Sequence, residues 1–154
     1  MSEDLKSEQQ LASMLVPLTD SLLLVPGTVI AEIIGWQQPE PVEGKPDWYL
    51  GEVSWRGLKL PLVSFERAGN GTMKERAEET RLAIVNGISG KSELPFYALI
   101  IQGIPRTLRL SGRDVTASEQ SAASEIIKMH VKASGATAAI PDLDKLEDLL
   151  TVNQ

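Results

Sequence analysis

The chain of 154 residues contains no cysteine, which excludes a disulfide framework, a thiolate nucleophile and any cysteine-based metal site. That is compatible with a cytoplasmic location. Histidine occurs once, as His130, so a zinc site would need three carboxylates beside it, an unusual donor set. Positive charge is in deficit: 15 Lys and Arg stand against 21 Asp and Glu, for a net charge of −6. The basic residues are scattered and do not alternate with aromatics, which argues against the basic stripe that a nucleic-acid binder needs. Long apolar runs are missing too. In the first half the longest uninterrupted one covers residues 22–25, far short of the roughly 20 residues that span a bilayer. The start, MSEDLKSEQQ, lacks the basic and apolar regions of a secretory signal. It reads as a disordered tail over residues 1–10, followed by a single domain over 11–154, with no direct membrane insertion.

The usual catalytic patterns are also absent. The glycines form neither a phosphate loop followed by Lys and Ser/Thr nor a dinucleotide fingerprint, so no cofactor is implied. Glu78 and Glu79 are adjacent and would point to opposite faces of a strand. His130 falls on the lysine-bearing side of an alternating segment, where a solvated imidazole is the ordinary reading, although a Ser-His-acid triad is formally available. Nothing points to an enzyme.

What is present is a soluble, strand-rich composition, 42% hydrophobic and 23% charged. Residues 11–18 and 21–25 read as a strand pair about a turn at Thr19 and Asp20, and residues 27–33 as a helical turn after Pro26. Pro39, Pro41 and Pro46 exclude a helix from 37–47, which reads as an ordered loop. Residues 66–79 read as an exposed linker turning at Gly69, Asn70 and Gly71. Strands are expected over 81–85, 96–101 and 106–110, broken by Gly87, Gly90, Gly103 and Gly112. Residues 125–133 alternate, with Ile127, Met129 and Val131 on one side and Lys128, His130 and Lys132 on the other. After a turn at Ser134 and Gly135 comes a strand over 136–140. Asp142 then caps a helix whose Leu143, Leu146, Leu149 and Leu150 form one stripe, with Asp144 favourably placed for the dipole. From pattern alone the class is all-β with barrels or a sandwich.

The segment YLGEVSWRGLKLPLVSF, residues 49–65, carries the most information. Leu50 and Val53, then Leu58, Leu60 and Leu62, fall at strand spacing about a turn at Trp55, Arg56 and Gly57. Glycine supplies the positive φ of a hairpin turn, and the neighbouring arginine is pushed outward. Taken alone, such a tip is an ordinary solvated hairpin end. Yet five of the seven aromatics, Trp36, Trp48, Tyr49, Trp55 and Phe65, lie in one third of the chain. Trp, Tyr and Arg are the side chains most enriched at binding hot spots. The rival account has the aromatics filling a small barrel.

This segment resembles CheW-like chemotaxis adaptors, whose pattern runs Leu-Gly, two strand residues, Asn-Leu-Arg-Gly, strand, proline, strand, Asp-Leu. Gly51, Arg56, Gly57 and Pro61 match, while Ser54, Trp55 and Ser64 depart. Upstream, LLLVPGTVIAEII is similar to the family's strand leading into Val-Arg-Glu-Ile, with Ala31 in place of the arginine. The closing IIKMHVKASGATAAIPDLDKLEDLL resembles its last hairpin and helix start. The middle, residues 68–104, matches poorly. The resemblance implies a mostly β fold: two small SH3-like five-stranded β-barrel subdomains packed together, with a short C-terminal α-helix. It also implies a non-enzymatic adaptor with two partners, the regulatory domain of a CheA-type histidine kinase and the cytoplasmic tip of a methyl-accepting chemoreceptor. The matching residues, Glu32, Arg56 and Gly57, with Trp55 as a local change of specificity, are the implied receptor- or kinase-binding set. The departures look like those of a ChpC-like accessory adaptor of type IV pilus twitching motility, recruited from the cytoplasm to membrane receptor arrays. A small-ligand-binding β-barrel protein is the alternative.

Overall fold

The computed structural model describes residues 11–90, 94–111, 114–118 and 124–152. The tail expected at 1–10 and the break expected at Gly112 lie outside them. The first strand pair forms as expected, β1 (Leu11–Pro17) against β2 (Leu22–Pro26), with the Leu18 N–H donating to the Ser21 carbonyl at 2.8 Å across the turn. A single 3₁₀ turn, Gly27–Val29, follows. The helical turn expected to reach residue 33 stops there, and β3 (Ile30–Gly35) takes its place. The β-branched Ile30, Ile33 and Ile34 favour an extended backbone, and β3 pairs along β6 (Arg81–Asn86).

The remaining strands are β4 (Tyr49–Trp55), β5 (Leu58–Val63), β7 (Phe96–Ile101), β8 (Arg106–Leu110), β9 (Val115–Ala117), β10 (Ile127–Ala133) and β11 (Ala136–Pro141). They form two sheets. One has five strands in the order β3-β6-β7-β5-β4; the other has six, β8-β1-β2-β11-β10-β9. The mostly β, two-barrel expectation is borne out, with the three-residue β9 as the additional strand of the second sheet. The five-stranded sheet curls until its edges meet. Beyond β3 the Gln37 amide bonds both the N–H and the C=O of Ser54 on β4, at 3.0 and 2.8 Å, and Glu40 pairs with Glu52 as an isolated bridge.

Three apolar clusters follow from strand alternation. Leu82 and Ile84 of β6, with Ala98 and Ile100 of β7, fill the five-stranded barrel alongside Val53, Leu60 and Leu62. The intervening Ala83, Val85, Tyr97, Leu99 and Ile101 point the other way, into a core shared with Val16, Leu23 and Val25 of the second sheet. Leu15, Leu24, Leu110, Val131, Ala133 and Ala138 fill the second barrel. The sheets are thus buried on both faces where they meet.

Two helices complete the fold, α1 (Phe65–Ala68), capped by Ser64, and α2 (Leu143–Val152), where the Asp142 carboxylate accepts the Lys145 N–H at 3.1 Å. The expected linker over 66–79 therefore begins with α1. Its later part is tethered: the Lys74 N–H donates to Thr19 Oγ1 at 3.0 Å, Met73 packs on the barrel core and Arg76 lies 5.4 Å from the Trp36 ring. In β10 a register shift between Ile127 and Met129 breaks the expected alternation. Met129 is exposed for that reason, whereas Val131 stays in the core. His130 is half-buried rather than solvated, with Nδ1 shielded from water, since it pairs opposite Ala139 on the face toward the shared core.

Candidate functional site

The β4–β5 hairpin reverses in two residues, Arg56 with φ of 49° and Gly57 with φ of 78°. Two successive positive φ values give the turn a twist matching that of its strands, and glycine is the natural occupant of the second place. The sequence reading assigned the positive φ to Gly57; Arg56 shares it, a conformation that costs a non-glycine residue about 1–2 kcal/mol. The arginine therefore sits on a fixed corner, and contacts to its neighbours hold the side chain.

Those contacts form one network. The Trp55 Nε1–H donates to Glu32 Oε1 at 2.9 Å, and Arg56 Nη2 reaches the same oxygen at 3.1 Å. The Arg56 guanidinium lies 5.0 Å from the Trp55 ring centroid. The indole meets Phe96 in an edge contact, with centroids 4.9 Å apart. Hydrogen bonds from Trp55 and then Arg56 hold the Glu32 carboxyl below the usual carboxylate range. The ion pair is open to solvent, with side chains 71% and 40% exposed for Arg56 and Glu32. Of the four residues singled out in the sequence, Glu32, Trp55 and Arg56 are brought together across β3 and β4, while Gly57 shapes the turn. Trp55 is neither free at the tip nor fully in the core: it is half-buried, packed on the barrel's apolar cluster.

Beside the turn runs a groove of about 340 Å³, lined by Val42, Leu58, Leu60, Pro61, Pro95 and Phe96 among others. It opens where β5 and β7 diverge, since their parallel pairing joins only Leu62 to Ala98 and Val63 to Leu99. Lys45 lies over the Tyr49 ring, and Lys59 pairs with Glu40 at 3.0 Å, which raises the Lys59 pKa. Apolar clusters occupy both barrels, and beside the second a cavity of about 290 Å³ is lined by Leu24, Val25, Leu110, Val115 and Ile140, a feature that the small-ligand alternative can draw on.

Two structural carboxylates, Glu147 fully buried and Glu66 half-buried, escaped the sequence reading. Glu147 on α2 is fully buried and accepts the N–H groups of Ile88 and Ser89 (2.9–3.1 Å) and the Tyr97 hydroxyl (3.3 Å). The signal was its spacing: Glu147 lies four residues after Leu143 and three before Leu150, on the leucine stripe itself. Glu66 on α1 clamps the first turn, with Oε2 accepting Thr19 N–H and Oγ1–H at 3.0 and 2.8 Å.

The CheW-like domain family model matches residues 12–149. Among solved structures the chain is similar to the crystal structure of the scaffolding protein TtCheW from Thermoanaerobacter tengcongensis. The TM-score is 0.72 at 12% identity, over 86% of this chain and 84% of that one. At that identity the likeness is one of fold. No curated protein matches the chain.

Proposed function

Because the chain belongs to the CheW-like domain family, matched over residues 12–149, we propose that it is a non-enzymatic adaptor of a chemosensory pathway. It couples the cytoplasmic tip of a methyl-accepting chemoreceptor to the regulatory domain of a CheA-type histidine kinase. The single observation that carries the surface assignment is the hairpin tip. An arginine 71% exposed stands on a two-residue turn and is held by Glu32 and Trp55 rather than left to wander. Residues 11–154 act as one domain in this reading. No described helix is long and apolar enough to cross a membrane. In this reading the protein is cytoplasmic and reaches receptor arrays through its partners. The departures at Ala31, Ser54 and Trp55 favour an accessory adaptor of the twitching-motility kind.

Sedimentation of the chain mixed with its cognate kinase domain tests the adaptor role. A complex is expected at tens of micromolar, about −6 kcal/mol; its absence at that concentration defeats the reading. Arg56→Ala tests the surface. Truncating an exposed side chain leaves no cavity, so stability should change by only about 0.5 kcal/mol. Affinity for the receptor tip or kinase should fall by roughly 2 kcal/mol, as for an interfacial arginine. A folded Arg56→Ala chain with intact affinity for both would make the tip an ordinary hairpin end.

A further inference from the structure

An exposed arginine–glutamate pair standing alone samples many rotamers and contributes little to stability. The pair at the β4–β5 tip does not stand alone. Trp55 touches both members, giving Glu32 Oε1 an N–H at 2.9 Å and giving the guanidinium a ring face 5.0 Å away. We propose that Trp55 is the positioning residue of the partner surface, fixing the Glu32–Arg56 pair in one orientation so that the free edge of the guanidinium faces a partner carboxylate. This rests on the adaptor reading above.

The indole can fix its neighbours because it is itself fixed. It is half-buried on β4 and paired with Leu58 across the strand, and its ring is pinned by the edge contact with Phe96. From that base it constrains the arginine at three points: the backbone just before the turn, the ring face and, through Glu32, the Nη2 atom. Among the described residues only Nη2 of the guanidinium is engaged by a hydrogen bond. The planar fork beyond it points to solvent, and such a fork matches a carboxylate in a bidentate pair. Leucine at this position, usual in the family pattern that the segment resembles, supplies neither the N–H nor the ring. A pre-set guanidinium loses less freedom on binding, so the substitution raises affinity for an acidic side chain without adding a contact to it.

Nitrogen-15 NMR of the free protein tests the positioning step, with Trp55→Phe retaining a ring while deleting the N–H, and Trp55→Leu removing both. In the parent chain the Trp55 indole N–H should follow the acid titration of Glu32, with a midpoint below 4.5, the ordinary value. The ionised carboxylate accepts the bond, so the bond is present at neutral pH and is lost as pH falls through that midpoint. In Trp55→Phe the Glu32 midpoint should move up and exchange of the Arg56 Nε–H should quicken at least threefold, with the other amide resonances in place. Trp55→Leu should show both changes more strongly. An unchanged Glu32 midpoint and Arg56 exchange in both variants overturns the positioning role whether or not any partner binds. The binding arm uses the receptor tip and the kinase domain as probes: about a tenfold weaker complex with one of them in Trp55→Phe supports the presentation step. Altered Arg56 dynamics with unchanged affinity for both overturns it. If the parent chain binds neither probe while the NMR signatures shift, the adaptor reading fails and with it the carboxylate partner, but not the fixing of Arg56 by Trp55.

Discussion

Gly51 and Gly57 sit in the same hairpin and are needed for different reasons. Gly57 has φ of 78° and open space where a Cβ would lie. Its requirement is conformational, and alanine there should cost about 1–2 kcal/mol, the strain of a left-handed residue. Gly51 has φ of 139°, and a Cβ would collide with the Glu40 carbonyl, within the bridge that joins Glu40 to Glu52. Alanine there meets strain and a backbone clash together, so part of the barrel seam must open. Urea unfolding of the two alanine variants should show Gly51→Ala as clearly the more damaging, by roughly 1 kcal/mol or more, within the ordinary range for single substitutions. Equal losses would mean that the loop from Pro39 yields freely. The sequence made the need for Gly57 legible, because a turn is a local event. It marked Gly51 only as part of a resemblance, since the backbone that crowds it lies eleven residues upstream.

The C-terminal helix shows how far a pattern of one residue type can be read. The leucine stripe and the Asp142 cap were legible, and Leu143, Leu146 and Leu150 are all buried. What the stripe concealed is that a carboxylate shares its face. Glu147 accepts two backbone N–H groups from the loop after β6 and the hydroxyl of Tyr97 on β7. The helix therefore holds the five-stranded barrel by hydrogen bonds as well as by apolar contact. Burial first, and then Glu147, raise the Tyr97 pKa far above its usual value, which keeps the phenol protonated as a donor. A raised folded pKa means that this contribution is intact below the unfolded value near 10 and is lost as pH climbs beyond it. Leu146→Ala should cost about 2–4 kcal/mol through its cavity. Glu147→Gln should cost roughly 1–3 kcal/mol, because the amide offers one acceptor where two oxygens were used and sets an NH₂ against the loop's donors. Thermal melts of both variants check this; a Glu147→Gln chain as stable as the parent would show that the clamp contributes nothing. Elements misread from sequence have the same cause. The strand character of β3 and the bulge at Met129 depend on what pairs beside them, and a linear pattern does not record its neighbours.

At the scale of the molecule, the two barrels are not the two halves of the chain. Strands β3 to β7 build the five-stranded barrel, while β1 and β2 from the start join β8 to β11 from the end in the other sheet. The closing pair sets Ala139 beside Leu23 in parallel, a contact across nearly the whole sequence. The strand-rich class was legible because alternation is local, and the paired-barrel architecture came from the resemblance; the insertion of one barrel within the other was not visible in either. It has an energetic consequence. The second barrel takes strands from both sides of the first in the chain, and β6 and β7 contribute one face to their own barrel and the other to the shared core. Neither barrel keeps its buried faces if the other unfolds, so the chain should melt as one cooperative unit. Calorimetry should give a single transition whose van't Hoff and calorimetric enthalpies agree. Leu82→Ala inside the five-stranded barrel and Leu99→Ala in the shared core should each lower that same transition, at a cost of about 2–5 kcal/mol each. Two separable transitions, with Leu82→Ala moving only one, would mean that the shared core is a docking contact between independent barrels. In that case a partner bound at the Arg56 tip would have no rigid path to the six-stranded sheet.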